Sequence, residues 1–213
     1  MANTTNNLEW QALSLWRGDR CLQQGLSGRL EQGQAIILRG PNGCGKTTLL
    51  RTLCGLTQPE EGEVSWSGEA IQRIRTDFNA RLAYCGHNDG LKKELTPREN
   101  LRFQALMRGR HTNQNDLING LGLNACANLP VRNLSAGQRR RTALAMVLGS
   151  GKDMWVLDEP YTHLDKAGCE WLGRRFNDHL NMGGLLLIAL HGDSLLSPER
   201  EQVLELSIRG ELQ

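Results

Sequence analysis

A glycine-rich loop, Gly40 to Thr48, is the feature of this sequence that most constrains the fold. It follows an aliphatic run, residues 35–38, that reads as a buried strand, and it precedes residues 47–53, which read as a helix. The loop fits the pattern of glycine, four residues, glycine, lysine and serine or threonine. Its residues are Gly40, Pro41, Asn42, Gly43, Cys44, Gly45, Lys46, Thr47 and Thr48. The order of strand, glycine loop and helix predicts an α/β fold.

The residue types in this loop suit the binding of a triphosphate. Gly40, Gly43 and Gly45 permit backbone angles that a Cβ would forbid, so successive N–H groups can turn inward toward phosphate oxygens. Lys46 can then reach the β and γ phosphates, and the Thr47 hydroxyl can bind Mg²⁺. The positive end of the helix dipole points at the same place. The alternative is a glycine-rich turn that contains a lysine by chance, and the adjoining strand and helix disfavour it.

A second apolar run, residues 154–157, ends in two carboxylates and a proline. A buried strand of a parallel sheet delivers such side chains to its carboxyl end, where ligands of these sheets bind. Asp158 is therefore predicted to hold Mg²⁺ through its water shell, and Glu159 to be the base that polarises the attacking water. Pro160 is expected to restrict Glu159 to extended backbone angles. The alternative, acidic residues at a helix start, fits poorly with the phosphate loop.

A third element combines a helix start with small residues, and it consists of Leu134, Ser135, Ala136, Gly137 and Gln138. Ser135 and Gln138 have the spacing of a capping box, and a helix-compatible stretch, residues 139–148, follows them. Such a start is also an anion site that can hold the γ-phosphate of a second subunit. The chain has 25 basic and 23 acidic residues and a net charge of +2, so Arg139 to Arg141 are expected to form a solvated helix face, not a nucleic-acid patch.

With these three elements the chain resembles the ATP-binding subunits of ABC transporters over nearly its whole length. The order and spacing of Lys46, Ser135, Asp158 and His191 agree with the family pattern. The resemblance implies a P-loop NTPase (RecA-like) α/β core with a small antiparallel β-subdomain and an inserted α-helical lobe. It implies one domain over residues 1–213, with a core lobe at about 1–87 and 150–213 and a helical lobe at about 88–149.

The resemblance also implies roles for single residues. His191, after the aliphatic stretch Leu185 to Leu190, resembles the switch histidine that contacts the γ-phosphate. Leu164 and Asp165 resemble the loop that communicates across the dimer. Trp16 is the candidate for stacking on adenine, although Trp10 is nearby and the choice of aromatic stays open. His87 or Asn88 takes the place of the usual glutamine between the lobes, and which of the two does so also stays open.

The same resemblance predicts the partners. Two copies would bind ATP with Mg²⁺ between the phosphate loop of one copy and the Ser135 region of the other. The longest strictly aliphatic stretch has six residues, Leu185 to Leu190, whereas a membrane-spanning helix needs about 20. A separate integral membrane subunit is therefore expected, docked near residues 87–93. No secretion signal is apparent at the amino end. Six cysteines lack metal-ligand spacing and read as reduced thiols. We expect no nucleic-acid partner and a location on the cytoplasmic side of the bacterial inner membrane.

Within the family, the short chain, the alanine in the third element and the segment from Gly86 to Leu91 resemble one subgroup. The members of that subgroup are the ATPase subunits of the haem exporter in bacterial c-type cytochrome maturation. Two alternatives remain open at this point: an ATPase of another export system for drugs, lipids or polysaccharides, and a non-transport ATPase of the same fold. The near-neutral charge and the absence of a long insertion disfavour the non-transport alternative.

Overall fold

A computed structural model describes residues 6–86, 89–108 and 113–208. Within these ranges the chain forms nine strands and six α-helices. In chain order they are β1 (Asn7–Arg17), β2 (Arg20–Glu31), β3 (Ala35–Arg39), α1 (Lys46–Leu53), β4 (Glu61–Trp66), β5 (Glu69–Ala70), α2 (Arg75–Arg81), β6 (Leu82–Cys85), α3 (Pro97–Arg108), α4 (Gln114–Gly120), α5 (Ala136–Leu148), β7 (Met154–Asp158), α6 (Lys166–Asn181), β8 (Leu185–Ala189) and β9 (Glu201–Glu205).

A parallel five-stranded sheet forms the centre of the molecule, with the strand order β6-β7-β8-β3-β9. Every residue of β7 and β8 is buried. These strands are aliphatic because helices cover both faces of a parallel sheet. The helix α1 packs against β7 and β8 on one side, and α6 packs against β8. The strand predicted before the phosphate loop, β3, and the strand predicted before Asp158, β7, therefore lie in one sheet and are separated there by β8.

The expected small antiparallel sheet is present, and its strand order is β2-β1-β4-β5. Trp10 of β1 is buried and lies opposite Gly28 of β2. A Cβ at Gly28 would lie 2.4 Å from the Trp10 ring, so the register requires glycine there. Apolar side chains of this sheet join α1 and one face of the parallel sheet in a common hydrophobic cluster. The cluster fixes the antiparallel sheet beside the phosphate loop.

The helices α3, α4 and α5 lie between β6 and β7 in the chain and pack against one another. Leu101, Leu117 and Leu144 are buried in the cluster that continues into the other face of the parallel sheet. Leu106 and Met107 of α3 are exposed. In the part of the chain that the structure describes, no helix has the length and apolar character needed to span a bilayer.

Candidate functional site

The phosphate loop connects the end of β3 to the start of α1 and has the conformation that its glycines predict. Gly40, Gly43 and Gly45 have φ values of 141°, 82° and 109°. At Gly40 a Cβ would also lie 2.1 Å from the carbonyl oxygen of Leu206, so the position excludes any larger residue. Gly45 is the N-cap of α1, and no side chain caps it, so the first N–H groups of the helix face the loop.

Lys46 is the first residue of α1 and is only 7% exposed. Its Nζ donates hydrogen bonds to the carbonyl oxygens of Gly40 at 2.6 Å and Pro41 at 3.2 Å. The ammonium group is therefore held across the loop before any phosphate binds. A cavity of about 300 Å³ opens here, and it is lined by Arg17, Leu22, Asn42, Gly43, Gly45, Lys46, Thr47, Thr48, Asp158 and Glu159.

Two groups that can bind a cation through oxygen, the Thr47 hydroxyl and the Asp158 carboxylate, lie side by side in this cavity. The Thr47 hydroxyl donates a hydrogen bond to Oδ2 of Asp158 at 2.7 Å, although the two residues belong to α1 and β7. Asp158 is buried at the carboxyl end of its strand. Among the described residues, no group of three or more His, Cys, Asp or Glu side chains is arranged to hold a metal by itself. A hydroxyl and one carboxylate fit a hard cation that takes its remaining ligands from phosphates and water.

Glu159 follows Asp158, and its backbone corrects one prediction. Its φ is 51°, so Pro160 does not hold it in an extended conformation. The Glu159 N–H donates to Ala189 of β8, while its carbonyl accepts a hydrogen bond from the N–H of Thr162. The chain thus reverses direction at this residue, and the requirements of that turn override the preference set by proline. Left-handed angles cost a non-glycine residue about 1 kcal/mol.

His191 lies two residues beyond β8 and faces Glu159. The distance from His191 Nε2 to Glu159 Oε1 is 2.9 Å, and both side chains are partly exposed. The strands β7 and β8 are neighbours in the sheet, and each delivers its following residue to the same edge. The sequence predicted both side chains separately, and the structure brings them together beside the phosphate loop.

The third element forms a capping box, as predicted. Ser135 is the N-cap of α5, and its Oγ accepts a hydrogen bond from the Gln138 N–H at 3.2 Å. The Gln138 side chain accepts a hydrogen bond from the Ser135 N–H at 2.9 Å. Leu134 is buried and anchors the turn, whereas Ser135 and Ala136 are exposed. In the described part of the chain, none of these residues lines the phosphate-loop cavity. A Cβ at Gly137 would lie 3.3 Å from Cβ and from Cγ of His163, so the position leaves little room for a larger residue.

The three arginines that follow are not a solvated face, which corrects a second prediction. Arg139 donates to the carbonyl oxygen of Leu134 at 2.6 Å, and its Nε lies 3.6 Å from Oδ2 of Asp89. Arg140 donates to the carbonyl oxygens of Gly86 and Asp158. Arg141 donates to those of Leu121 and Gly122. Successive helical residues point about 100° apart, so three in a row cannot all face solvent on a packed helix.

The remaining predicted residues are Trp16, Asp165 and the pair His87 and Asn88. Trp16 is 43% exposed and lines a separate cavity of about 560 Å³, whereas Trp10 is buried and cannot meet a nucleotide. Asp165 caps α6, because its Oδ1 accepts a hydrogen bond from the Gly168 N–H at 2.8 Å. His87 and Asn88 lie outside the described residues, so the structure does not distinguish between them.

Gln23 is a residue at the site that the sequence did not reveal. It is buried in β2, and its Nε2 donates to the carbonyl oxygens of Cys44 at 2.9 Å and Ser207 at 2.7 Å. It therefore ties the phosphate loop to the segment after β9. No local pattern marks this glutamine, because both of its partners are distant in sequence. Arg17, which lines the phosphate-loop cavity, was also missed, although it adjoins the candidate Trp16.

The fold and this site together define a nucleotide-hydrolysing protein of the P-loop class. The family model described as ABC transporter matches residues 23–162. The cytochrome c biogenesis ATP-binding export protein CcmA of Methylococcus capsulatus is 43% identical over 184 residues, which are 85% of this chain and 89% of that protein. CcmA of Aromatoleum aromaticum is 42% identical over 198 residues, which are 91% of this chain and 92% of that protein.

The fold also matches a solved ATP-binding subunit of an ABC transporter. That structure is 21% identical, has a TM-score of 0.80, and the match covers 95% of this chain and 88% of the other. The chain belongs to the ABC transporter family. It is an ABC-type ATPase, and members of this family act on ATP together with a divalent metal ion.

Proposed function

We propose that this chain is the ATP-hydrolysing subunit of an ABC transporter that exports haem for the maturation of c-type cytochromes. The observation that carries the enzymatic part is the meeting of Glu159 and His191 at 2.9 Å beside the phosphate-loop cavity. The relatives support the cellular part, because their name combines ATP binding, export and cytochrome c biogenesis. Haem as the cargo rests on the resemblance to the haem-exporter subgroup.

The geometry supports a mechanism in which the loop from Gly40 to Thr48 binds the phosphates through its N–H groups and Lys46 neutralises the γ-phosphate. Thr47 and Asp158 would hold Mg²⁺, which supplies charge neutralisation at the β and γ phosphates. The carboxylate of Glu159 orients the attacking water and accepts its proton. The water oxygen bonds to the γ phosphorus while the bond to the β–γ bridging oxygen breaks, which gives ADP and phosphate. His191 keeps Glu159 in place and contacts the γ-phosphate.

We further propose that two copies act as a pair. The capped start of α5 presents the Ser135 hydroxyl and the exposed Ala136 to solvent, and neither lines the phosphate-loop cavity of the same chain in the described structure. A free helix start with small residues is suited to an oxyanion. In the proposed pair, Leu134 to Gln138 of one copy would close over the γ-phosphate bound by the other, with Asp165 at the contact and Trp16 on the adenine.

The proposed membrane partner is a separate integral subunit, which would hold this chain on the cytoplasmic side of the bacterial inner membrane. An exposed apolar surface on α3 supports this proposal, since Phe103, Leu106 and Met107 all face solvent. Lys92 lies beside it, with Nζ 4.6 Å from the centroid of the Phe103 ring. Lys92 belongs to the predicted docking segment, residues 87–93, at the proposed boundary between a core lobe (about 1–87 and 150–213) and a helical lobe (about 88–149). Exposed apolar patches of this kind are typical of docking sites.

The test is haem staining of c-type cytochromes in cells whose only copy of the gene encodes the Glu159→Gln protein. We expect staining to disappear while the protein remains at its normal level. Glu69→Gln, the same change at an exposed position of β5, is the matched control and should leave staining normal. Normal staining in the Glu159→Gln cells would contradict the role in cytochrome maturation. It would leave the ATPase assignment standing, with a different cargo.

A further inference from the structure

We infer that Arg140 is a positioning residue for ATP hydrolysis, which couples the helix behind Ser135 to the strand end that carries the catalytic carboxylates. The inference rests on the proposed function. Arg140 lies on α5, in the second turn after the capping box. In the described structure it does not itself line the phosphate-loop cavity, but it contacts Asp158, which does, so we assign it a positioning role and not a catalytic one.

The contacts of Arg140 join two neighbouring strands. Its Nη1 donates to the carbonyl oxygen of Gly86, the residue after β6, and its Nη2 donates to the carbonyl oxygen of Asp158, the last residue of β7. Cys85 of β6 and Leu157 of β7 are partners in the sheet register, so the two carbonyl groups lie at the same edge. A planar guanidinium can bind two adjacent acceptors with fixed geometry, which a point charge cannot do. One side chain thus fixes α5 to both strand ends.

Arg139 adds a second contact between α5 and the segment that follows β6. Arg140 contacts Gly86, before residues 87–88, and Arg139 contacts Asp89, after them. Its guanidinium binds the carbonyl oxygen of Leu134 and lies 3.6 Å from the carboxylate of Asp89. Consecutive arginines of one helix therefore contact both flanks of that segment, at Gly86 and at Asp89. The ion pair with Asp89 is partly exposed and weak, so the bidentate contact of Arg140 is the stronger restraint.

The catalytic consequence follows from the position of Glu159. Its peptide nitrogen is bonded to the carbonyl carbon of Asp158, so a shift of that carbonyl rotates the peptide that sets the direction of the Glu159 side chain. Glu159 also has left-handed backbone angles, which only the surrounding contacts can maintain. A cavity of about 260 Å³ lies between Ala136 and Glu159. Arg140 lines this cavity too and provides a connection across it.

Arg141 provides a matched control in the same helix. It also donates to two backbone carbonyls, those of Leu121 at 3.1 Å and Gly122 at 3.3 Å, but both follow α4 and lie away from the sheet edge. Replacing either arginine by glutamine removes one positive charge from α5 and the contacts of that arginine with two backbone carbonyls. Only the Arg140 change disconnects α5 from Asp158.

The experiment compares the full-length wild-type chain with Arg140→Gln, Arg140→Lys and Arg141→Gln, and it measures kcat and KM for ATP hydrolysis and the Kd for ATP. Arg140→Gln should lower kcat about 10- to 100-fold, because small misplacements of catalytic groups have effects of this size. Its KM and Kd should stay within about twofold, since the phosphate loop is untouched. Arg140→Lys should recover part of kcat, and Arg141→Gln should keep kcat within about twofold of wild type.

Equal kcat values for Arg140→Gln and wild type, or equal losses for Arg140→Gln and Arg141→Gln, would overturn the inference while leaving the ATPase function intact. Loss of ATP binding by Arg140→Gln would overturn it as well, because Arg140 would then be needed for the nucleotide site itself. A wild-type chain that does not hydrolyse ATP would overturn the proposed function together with this inference.

Discussion

The edge of the parallel sheet and the start of α5 differ in how complete they are within one chain. At the sheet edge, Lys46 is held by loop carbonyls, Thr47 is bonded to Asp158, and Glu159 faces His191. The helix α1, the strand β7 and the loops that follow β3, β7 and β8 supply these contacts. At the start of α5, the Ser135 side chain interacts with its own helix through the capping box and is otherwise exposed.

The difference indicates which part of the site a single copy can provide. The contacts at the sheet edge all form within one chain, so we expect a single copy to bind ATP without assistance. The exposed helix start is suited to an anion, and we expect that anion to be the phosphate bound by a second copy. We therefore expect substitutions at the sheet edge to affect binding or hydrolysis directly, and substitutions at Ser135 to act only through a second copy.

The largest expected effect is on turnover at the sheet edge. Glu159→Gln keeps the size of the side chain but removes the carboxylate that accepts the proton of water, so kcat for ATP hydrolysis should fall about 1,000-fold. The Kd for ATP should change little, and Glu69→Gln should behave as wild type. Phosphate release under saturating ATP is the measurement. A kcat within a few fold of wild type would show that Glu159 is not the catalytic base. It would also weaken the contrast between the two regions.

The second effect concerns ATP affinity. Lys46→Ala removes the ammonium held over the phosphate loop and should raise the Kd for ATP about 100-fold, as expected for a charge-assisted contact to phosphate. Lys152→Ala is the control, because Lys152 Nζ also donates to two backbone carbonyls, those of Asn79 and Ala80, but away from the phosphate loop. Isothermal titration with ATP should detect the change in the first variant alone. Equal affinities in the two variants would contradict the assignment of the loop.

A third, smaller effect concerns the pH dependence of stability. His179 of α6 is buried and stacks on Trp155 of β7 with ring centroids 3.8 Å apart, and its Nε2 lies 3.2 Å from the carbonyl oxygen of Leu185 at the start of β8. Burial lowers the pKa of His179 from 6.5 to about 4. Between these values the unfolded chain binds a proton that the folded chain does not, so stability decreases as the pH falls below 6.5. The loss between pH 7 and pH 5 should be about 2 kcal/mol.

Urea unfolding at pH 7, 6 and 5 measures this loss, and His179→Phe should remove it because phenylalanine keeps the stacking without a titrating group. An unchanged slope of stability against pH in His179→Phe would contradict the explanation. The capping box at α5 consists of neutral side chains and should contribute no such dependence.

Local signals account for what the sequence predicted correctly. The aliphatic runs of β3, β7 and β8 indicate buried parallel strands, and the spacing of Ser135 and Gln138 indicates a capped helix start. Each of these patterns lies within a few consecutive residues. The antiparallel sheet was expected from the resemblance to the family, since its strands come from two parts of the chain separated by β3 and α1.

The features that the sequence did not predict depend on contacts between distant residues. The left-handed backbone of Glu159 is set by its hydrogen bond to Ala189, which a local rule about proline cannot include. The contacts of Gln23 and Arg140 join separate elements, and their side chains belong to no local motif. The strand β9 has no buried residue and no alternating pattern, so it is recognisable only through its pairing with β3.

The most direct test of the central claim is the mass of the Glu159→Gln protein in solution with and without ATP and Mg²⁺, measured by size-exclusion chromatography with light scattering. We predict a dimer with ATP and a monomer without it. Ser135→Arg in the same background should bind ATP with unchanged affinity yet remain monomeric, whereas Asn124→Arg, which adds the same charge at another exposed position, should still dimerise. A monomer in the presence of ATP, or a Ser135→Arg protein that dimerises normally, would contradict the account in which the two regions complete each other across two copies.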